Sequence, residues 1–332
     1  MAGFRALVVD RAGDGVAARL GTLPDLPDGE VVVAVTHSSL NSVDARIVTS
    51  DTGLITAFPH VPGYDLAGTV AVSREPGLVT GDPVLATGWG LGMYRWGGFA
   101  ERASLAAGWA TPLPAGLDPA AAMTLGTAGL TAMLAIEALE RHGADPAGGP
   151  VLVTGATGGV GSLTVLLLAR LGYRVEAATG RPEHESLLHR LGDAAVVPRA
   201  ELEAEPVGLL EAERWSHAVD VVGGTTLGRI VSSLRYGGVV AACGLAGGGV
   251  APVSAAALAV RGVVVEGINS VFCPAPVRDA AWRRLAGLVT AADLAPLTTT
   301  IGLGDVPDHS RALLAGEVTG RVVIEVTRQA LL

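Results

Sequence analysis

The chain contains no lysine, and all 23 of its basic residues are arginine. This absence excludes enzymes that form a Schiff base through lysine, pyridoxal enzymes among them, and P-loop proteins, whose lysine grips the phosphates. Acidic residues outnumber arginines, and the resulting net charge of −9 argues against nucleic acids and anionic membranes as partners.

Cysteine and long apolar runs are also scarce. Cys243 and Cys273 are too few for a disulfide framework or a cysteine zinc site, and they fit a reduced protein. Residues 1–10 lack the apolar stretch of a signal peptide. Residues 237–260 carry no charge, but their six glycines and Pro252 argue against a membrane helix. We therefore expect a cytoplasmic protein.

Glycine is abundant instead, with 46 residues among 332, about twice the usual share. The length is sufficient for about two domains. Short β-branched runs broken by glycine and proline predict a β-rich domain over 1–122, to which 293–332 returns. From Pro150 onward strands alternate with helices, so residues 123–292 are predicted to form a doubly wound parallel sheet.

The strongest local motif runs from Thr154 to Gly161 and reads TGATGGVG. It follows a predicted strand and opens a predicted helix, the arrangement in which backbone amides bind the pyrophosphate of a dinucleotide. The octet also matches the TGxxxGxG motif of short-chain dehydrogenases. Those enzymes carry the motif near the N-terminus and use a Tyr-x-x-x-Lys pair, which a chain without lysine cannot supply.

The end of the second strand of this domain distinguishes NADPH from NADH. An NAD site places a carboxylate there for the ribose 2′-hydroxyl, but this chain has Thr179, Gly180 and Arg181, with Glu176 in mid-strand. Arginine binds a 2′-phosphate through its planar fork. We therefore predict NADPH, with Arg199, after the next strand, as a second clamp.

The order of the two domains resembles the medium-chain dehydrogenase/reductase superfamily, and so do three further segments: 38–44, 62–70 and 81–84. The zinc branch of that superfamily carries Gly-His-Glu where this chain has Gly63-Tyr64-Asp65, and a four-cysteine lobe that is missing here. No metal is therefore expected. Other motifs are similar to those of the acrylyl-CoA reductase family in the zinc-free, quinone-oxidoreductase-like branch: 87–90, 96–101, 126–129, 179–181, 236–238 and 242–248.

This resemblance implies a GroES-like β-rich catalytic domain, a Rossmann domain and an NADPH-dependent reductase of the C=C bond of an α,β-unsaturated carbonyl compound. Hydride is expected to reach the β-carbon, and a proton the α-carbon. The resemblance also implies cofactor contacts at Gly158, Gly159, Val160, Gly161, Thr179, Gly180, Arg181, Arg199, Leu245 and Ser270, to which we add Ser42. As in related enzymes, the edge strand 263–268 is expected to pair two subunits into a homodimer.

One motif departs from the family pattern. The family has Asn-Tyr-Lys-Asp where this chain has Asn41-Ser42-Val43-Asp44, so a phenol and a cation are absent. We predict Asn41 as a catalytic contact and Tyr64 or Tyr94 as the source of a replacement hydroxyl. The substrate is left open between an enoyl thioester and an enone. Two alternatives also stay open: a quinone or ketone oxidoreductase of the same fold, and a catalytically silent NADPH-binding protein.

Overall fold

The computed structural model describes residues 3–50, 53–55, 57–204 and 208–327. Contacts between residues divide the chain into two units. The first holds the described residues up to Thr127 and from Ser270 onward, and the second runs from Ala128 to Asn269. The predicted boundary after residue 122 lies close to this division. The predicted boundary after residue 292 differs from it, because Arg278 bonds to Thr87 and so ties residues 270–292 to the first unit.

The order of the elements agrees with the sequence pattern: the first part of the chain is rich in strands, and strands alternate with helices after it. The strands are β1 Phe4–Ala12, β2 Gly15–Leu23, β3 Val31–Leu40, β4 Asp65–Ser73, β5 Pro83–Thr87, β6 Arg102–Leu105, β7 Thr111–Pro112, β8 Val151–Val153, β9 Val175–Thr179, β10 Ala195–Pro198, β11 Trp215–Asp220, β12 Leu234–Ala242, β13 Val264–Gly267, β14 Thr298–Gly302 and β15 Arg321–Glu325. The α-helices are α1 Ser42–Thr49, α2 Pro119–Arg141, α3 Gly159–Arg170, α4 Glu185–Gly192, α5 Ala200–Glu203, α6 Gly224–Ser233, α7 Ala255–Arg261, α8 Ala275–Leu288, α9 Ala291–Leu294 and α10 Val306–Leu314.

The first unit is built on a seven-stranded sheet in the order β14-β15-β3-β4-β5-β7, with β6 paired to β3. Its pairs are antiparallel except β14 with β15. The pairing of β15 with β3 confirms that the C-terminal strand returns to the β-rich unit. Alternating valines of β3 are buried and pack with Phe99, Leu105 and Ile324 in one core.

The second unit is a six-stranded parallel sheet in the order β10-β9-β8-β11-β12-β13. This is the doubly wound order in which the first strand lies beside both the second and the fourth. Dinucleotides bind at the carboxyl ends of such strands, where the order reverses. The predicted Rossmann domain is confirmed, and the switch point lies between β8 and β11.

Helix α2 is interrupted at Gly126, whose φ of 50° and ψ of −153° are not helical. Asp118 accepts a hydrogen bond from the Ala121 amide at 2.7 Å and so caps the helix that begins with Pro119. Among the described residues, α2 is long and apolar enough to cross a membrane, and 89% of its apolar window is buried in the protein. Residues 237–260 form parts of β12 and α7 and no spanning helix.

Candidate active site

The glycine loop of the second unit connects β8 to α3. Gly155 has a φ of +56°, and Gly158 precedes the first turn of α3, which contains no acidic residue. A Cβ atom on Gly161 would lie 2.2 Å from the carbonyl oxygen of Gly155, so only glycine permits this approach of helix and loop. Free amides at the N-terminus of a twelve-residue helix favour a bound phosphate. The loop therefore fits the pyrophosphate of a dinucleotide.

The end of β9 lies next to this loop. The hydroxyls of Thr157 and Thr179 are 3.3 Å apart, and the Arg181 amide donates to the Thr179 hydroxyl at 3.0 Å. Arg199 donates its amide to the Thr179 carbonyl at 2.9 Å, and its guanidinium packs against Gly180. The Arg199 guanidinium thus lies beside Gly180, and it also pairs with Glu203 at 2.7 Å. Arg181 follows Gly180 directly in the chain.

Glu176 does not compete for this position. Its carboxylate accepts hydrogen bonds from the Trp215 indole at 2.9 Å and from Arg214 at 3.2 Å. The Glu176 carboxylate therefore points to Trp215 and Arg214 and is not available to bind a ribose hydroxyl, in agreement with its mid-strand position in the sequence. The end of β9 therefore has Arg181 and Arg199 nearby and no carboxylate available to a ribose, a combination that fits a 2′-phosphate.

Asp220, at the end of β11, organises the neighbouring loop, and no motif in the sequence points to this role. Its carboxylate accepts bonds from the Thr154 hydroxyl at 2.6 Å and from the amides of Val222 and Gly223 at 3.1 and 2.9 Å. Leu245, the predicted cofactor contact after β12, is exposed and lines a cavity of about 440 Å³ with the surrounding glycines.

The first unit contains a buried polar network at the start of α1. Asn41 precedes this helix, and its side-chain amide donates to Asp65 at 2.9 Å and to Asp44 at 3.2 Å. Asp65, fully buried, also accepts bonds from the Ser39 hydroxyl at 2.6 Å and from the amide and hydroxyl of Thr127 at 3.0 and 2.5 Å. Four donor groups, from Asn41, Ser39 and Thr127, thus converge on the Asp65 carboxylate, and the Asn41 amide also reaches Asp44.

Arg321, the first residue of β15, supplies the cation of this network. Its side chain is 4% exposed and lies 3.9 Å from the Asp65 carboxylate. It donates to the Asn41 side-chain oxygen at 3.2 Å, to the Ser39 hydroxyl at 2.9 Å and to the Thr124 carbonyl at 2.9 Å. The Asn41 amide is therefore held from both ends, by carboxylates at its nitrogen and by a guanidinium at its oxygen.

The fold also changes the protonation of Asp44, which is fully buried. Burial, followed by the charge of Asp65, raises the pKa of Asp44 to about 7, against hydrogen bonds from Asn41 and Tyr64 that lower it. Its carboxylate accepts the amides of Gly63 and Tyr64 at 3.2 and 2.9 Å. Because the pKa in the unfolded chain is near 3.8, the folded protein binds an extra proton between pH 4 and 7.

We expect the free energy of unfolding to fall as pH rises through this window, and Asp44→Asn to remove that fall. A pKa difference of about three units corresponds to at most ~4 kcal/mol of stability lost by pH 7 and constant above it. Denaturant unfolding between pH 4.5 and 8 measures the slope, with Asp28→Asn, an exposed acid, as the control. An Asp44→Asn protein with the wild-type slope would contradict the assignment.

The two predicted tyrosines differ in environment. Tyr64 is 6% exposed and donates its hydroxyl to the Met93 sulfur at 2.8 Å, and burial raises its pKa above the usual value, as do the charges of Asp44 and Asp65. Tyr94 is 68% exposed and its ring covers Gly90. The structure thus brings Tyr64 to Asn41 through Asp44 and leaves Tyr94 on the surface.

Two further residues of the first unit, Ser42 and Ser270, are predicted cofactor contacts. Ser42 is exposed at the first turn of α1, and Ser270 is 6% exposed. Within the described ranges, no group of three or more His, Cys, Asp or Glu side chains is arranged to hold a metal ion.

Comparisons with known proteins agree with both units. A family model described as the alcohol dehydrogenase GroES-like domain matches residues 27–115, and one described as zinc-binding dehydrogenase matches residues 159–287. Acrylyl-CoA reductase AcuI of Ruegeria pomeroyi is 45% identical over 97% of this chain and 99% of that protein.

Two solved structures extend the comparison to the fold. The yhdH oxidoreductase from Salmonella enterica in complex with NADP has a TM-score of 0.95 and 42% identity, covering 97% of this chain and all of the other. Bacillus subtilis protein yhfP with NAD bound has a TM-score of 0.94 and 37% identity over 98% of this chain and all of the other.

The chain therefore belongs to the medium-chain dehydrogenase/reductase superfamily, in the group of the acrylyl-CoA reductases and their quinone-oxidoreductase-like relatives. The family, the two-domain fold and the oxidoreductase class predicted from the sequence are confirmed. The buried partners of Asn41 were not predicted as site residues. Asp65 and Arg321 each open an apolar strand with a charge, the one feature of the sequence that points to them.

Proposed function

We propose that this chain is an NADPH-dependent reductase of the carbon–carbon double bond of an activated α,β-unsaturated carbonyl compound, an enoyl thioester or an enone. The observation that carries the proposal is the full-length similarity to an acrylyl-CoA reductase, 45% identical, in a chain that has Arg181 and Arg199 beside the end of β9. Bound NADPH supplies the hydride that is added to the β-carbon of the substrate.

The second unit supports the choice of NADPH. Its glycine loop fits a pyrophosphate, and Arg181 and Arg199 flank the end of β9, where Glu176 is occupied by Trp215. One structural relative was solved with NADP and another with NAD. We propose that Arg181 and Arg199 bind the 2′-phosphate.

Replacing Arg181 by alanine should reduce the preference for NADPH over NADH by at least about tenfold, because a charge-assisted contact to phosphate is lost. The ratio of kcat/KM for the two cofactors measures this preference. Arg190→Ala, an exposed arginine of α4, serves as the control and should leave the ratio unchanged. An unchanged ratio in Arg181→Ala would remove the cofactor assignment.

The first unit is proposed to hold the substrate. Both amide hydrogens of Asn41 are directed at carboxylates and its oxygen accepts from Arg321, so the network fixes the residue in one orientation. The Tyr64 hydroxyl donates to Met93, so we propose exposed Tyr94 first, and Tyr64 as the alternative, for the hydroxyl that meets the substrate. Asn41, Tyr64 and Tyr94 remain the proposed catalytic residues, with Ser42 and Ser270 as proposed cofactor contacts.

Turnover tests the function. Purified protein with NADPH should reduce members of a panel of enoyl thioesters and enones, with the saturated carbonyl compound identified by mass spectrometry. Oxidation of NADPH with quinones alone would favour the quinone oxidoreductase instead, an alternative that the similarity does not favour. If the protein binds NADPH tightly but no acceptor oxidises the bound NADPH, the chain is a catalytically silent NADPH-binding protein.

The assembly and location are also proposals. Strand β13 is the last strand of the parallel sheet, and Val265 on it is 38% exposed, which supports pairing with a second copy. Sedimentation equilibrium should then give twice the chain mass of 33.4 kDa. We place the enzyme in the cytoplasm, which cell fractionation tests.

A further inference from the structure

Helix α8 carries an arginine in the interior of the first unit. Arg278 is 0% exposed, and one end of its guanidinium donates to the Thr87 carbonyl at 2.5 Å and to the Thr87 hydroxyl at 3.1 Å. The other end donates to the carbonyls of Ser270 and Val271 at 2.9 and 3.1 Å. A single side chain therefore bridges the end of β5 and the segment that precedes α8.

The partners of Arg278 are a hydroxyl and three backbone carbonyls instead of a carboxylate. Burying a guanidinium is unfavourable unless its donors are satisfied. Its Nε atom has no hydrogen-bond partner among the described residues, and the indole of Trp89 lies over the group, 4.3 Å from the guanidinium carbon to the ring centroid. A well-packed apolar residue would fill this volume at lower cost, so stability alone does not account for the arginine.

The turn that Arg278 holds is conformationally unusual. Gly88, Trp89 and Gly90 all have positive φ values, of 72°, 56° and 74°, and Trp89 is not a glycine. The Trp89 amide donates to the Val271 carbonyl at 3.0 Å, and a Cβ atom on Gly88 would lie 3.0 Å from the Val271 Cα atom. Such strain persists only where surrounding contacts enforce it, and it occurs often near functional sites.

We propose that Arg278 is a positioning residue, which fixes the Ser270–Val271 segment against the strained turn at Thr87–Trp89 and so holds Ser270 in place for the cofactor. The inference rests on the proposed function, in which Ser270 contacts NADPH. Four hydrogen bonds from one planar group set both the distance and the angle between the two segments. Without them the Ser270 segment keeps the Trp89 amide bond but loses two carbonyl contacts.

Arg278→Met keeps most of the volume and removes all five donors, whereas Arg278→Lys keeps the charge and one donor group. The dissociation constant of NADPH, measured by fluorescence titration, should rise at least about tenfold in Arg278→Met, and by less in Arg278→Lys. The KM for the alkene should change little, which separates positioning of the cofactor from general damage. Arg283→Met, exposed on the same helix, is the matched control and should bind NADPH as the wild type does.

A folded Arg278→Met protein that binds NADPH within twofold of the wild type would overturn the proposal. Thermal unfolding without NADPH shows whether the variant is folded. If it is not, Arg278→Lys decides, since an unchanged NADPH affinity there would overturn the proposal equally. A wild-type protein that binds NADPH but reduces no alkene would contradict the proposed function and leave the role of Arg278 intact.

Discussion

Replacing Arg321 by methionine is expected to lower the free energy of unfolding by about 3–5 kcal/mol, because it leaves the buried carboxylate of Asp65 without its cation. The guanidinium is 3.9 Å from Asp65 and also donates to Asn41, Ser39 and Thr124, so several acceptors lose a donor at once. Denaturant unfolding at pH 7 measures the loss.

A surface ion pair provides the control for Arg321. Arg74 pairs with Glu30 at 3.2 Å with its side chain 62% exposed, and Arg74→Met should change stability by less than about 1 kcal/mol. The double variant Asp65→Asn with Arg321→Met should be less destabilised than the sum of the single variants, since neither charge is then left alone. A loss under 1 kcal/mol in Arg321→Met would show that the network does not depend on its cation.

Changing Gly161 to alanine is expected to weaken NADPH binding by at least about 100-fold, or ~3 kcal/mol. The added Cβ atom would lie 2.2 Å from the Gly155 carbonyl oxygen and 2.8 Å from the Ala156 Cα atom. Both are backbone atoms that no rotamer change can move, so the loop must shift away from the helix terminus that binds the pyrophosphate.

Gly287→Ala is the matched control for this effect. It is also a helical glycine, but a Cβ atom there meets nothing within 4 Å. Alanine is favoured over glycine in a helix, so this variant should bind NADPH normally and be no less stable. Wild-type NADPH affinity in Gly161→Ala would show that the close approach of helix and loop is not needed for binding.

The parts of the fold that the sequence predicts well are local. The glycine loop, the strand before it and the helix after it occupy 20 consecutive positions, from Val151 to Arg170, and the cap at Asp118 lies three residues from its partner Ala121. Periodicity and capping act over such distances, so the patterns are visible without knowledge of the tertiary structure.

The substrate side of the site was less predictable, because long-range contacts build it. Asn41 and Arg321 meet across 280 residues, and Asn41 and Asp65 across 24. Asn41 and Asp44 form the capping box of helix α1, a helix that the sequence did not predict. A charge at the start of an apolar strand marks Asp65 and Arg321, although it does not reveal that they share one network.

Transfer of labelled hydride from NADPH tests whether the protein reduces the carbon–carbon double bond of its substrate. The protein is incubated with NADPH that carries deuterium at C4 of the nicotinamide and with an activated alkene that it reduces, and the product is examined by NMR. We expect deuterium on the β-carbon of a saturated carbonyl compound and a solvent-derived proton on the α-carbon. Deuterium on the carbonyl carbon of an alcohol would contradict it and identify a ketone reductase instead.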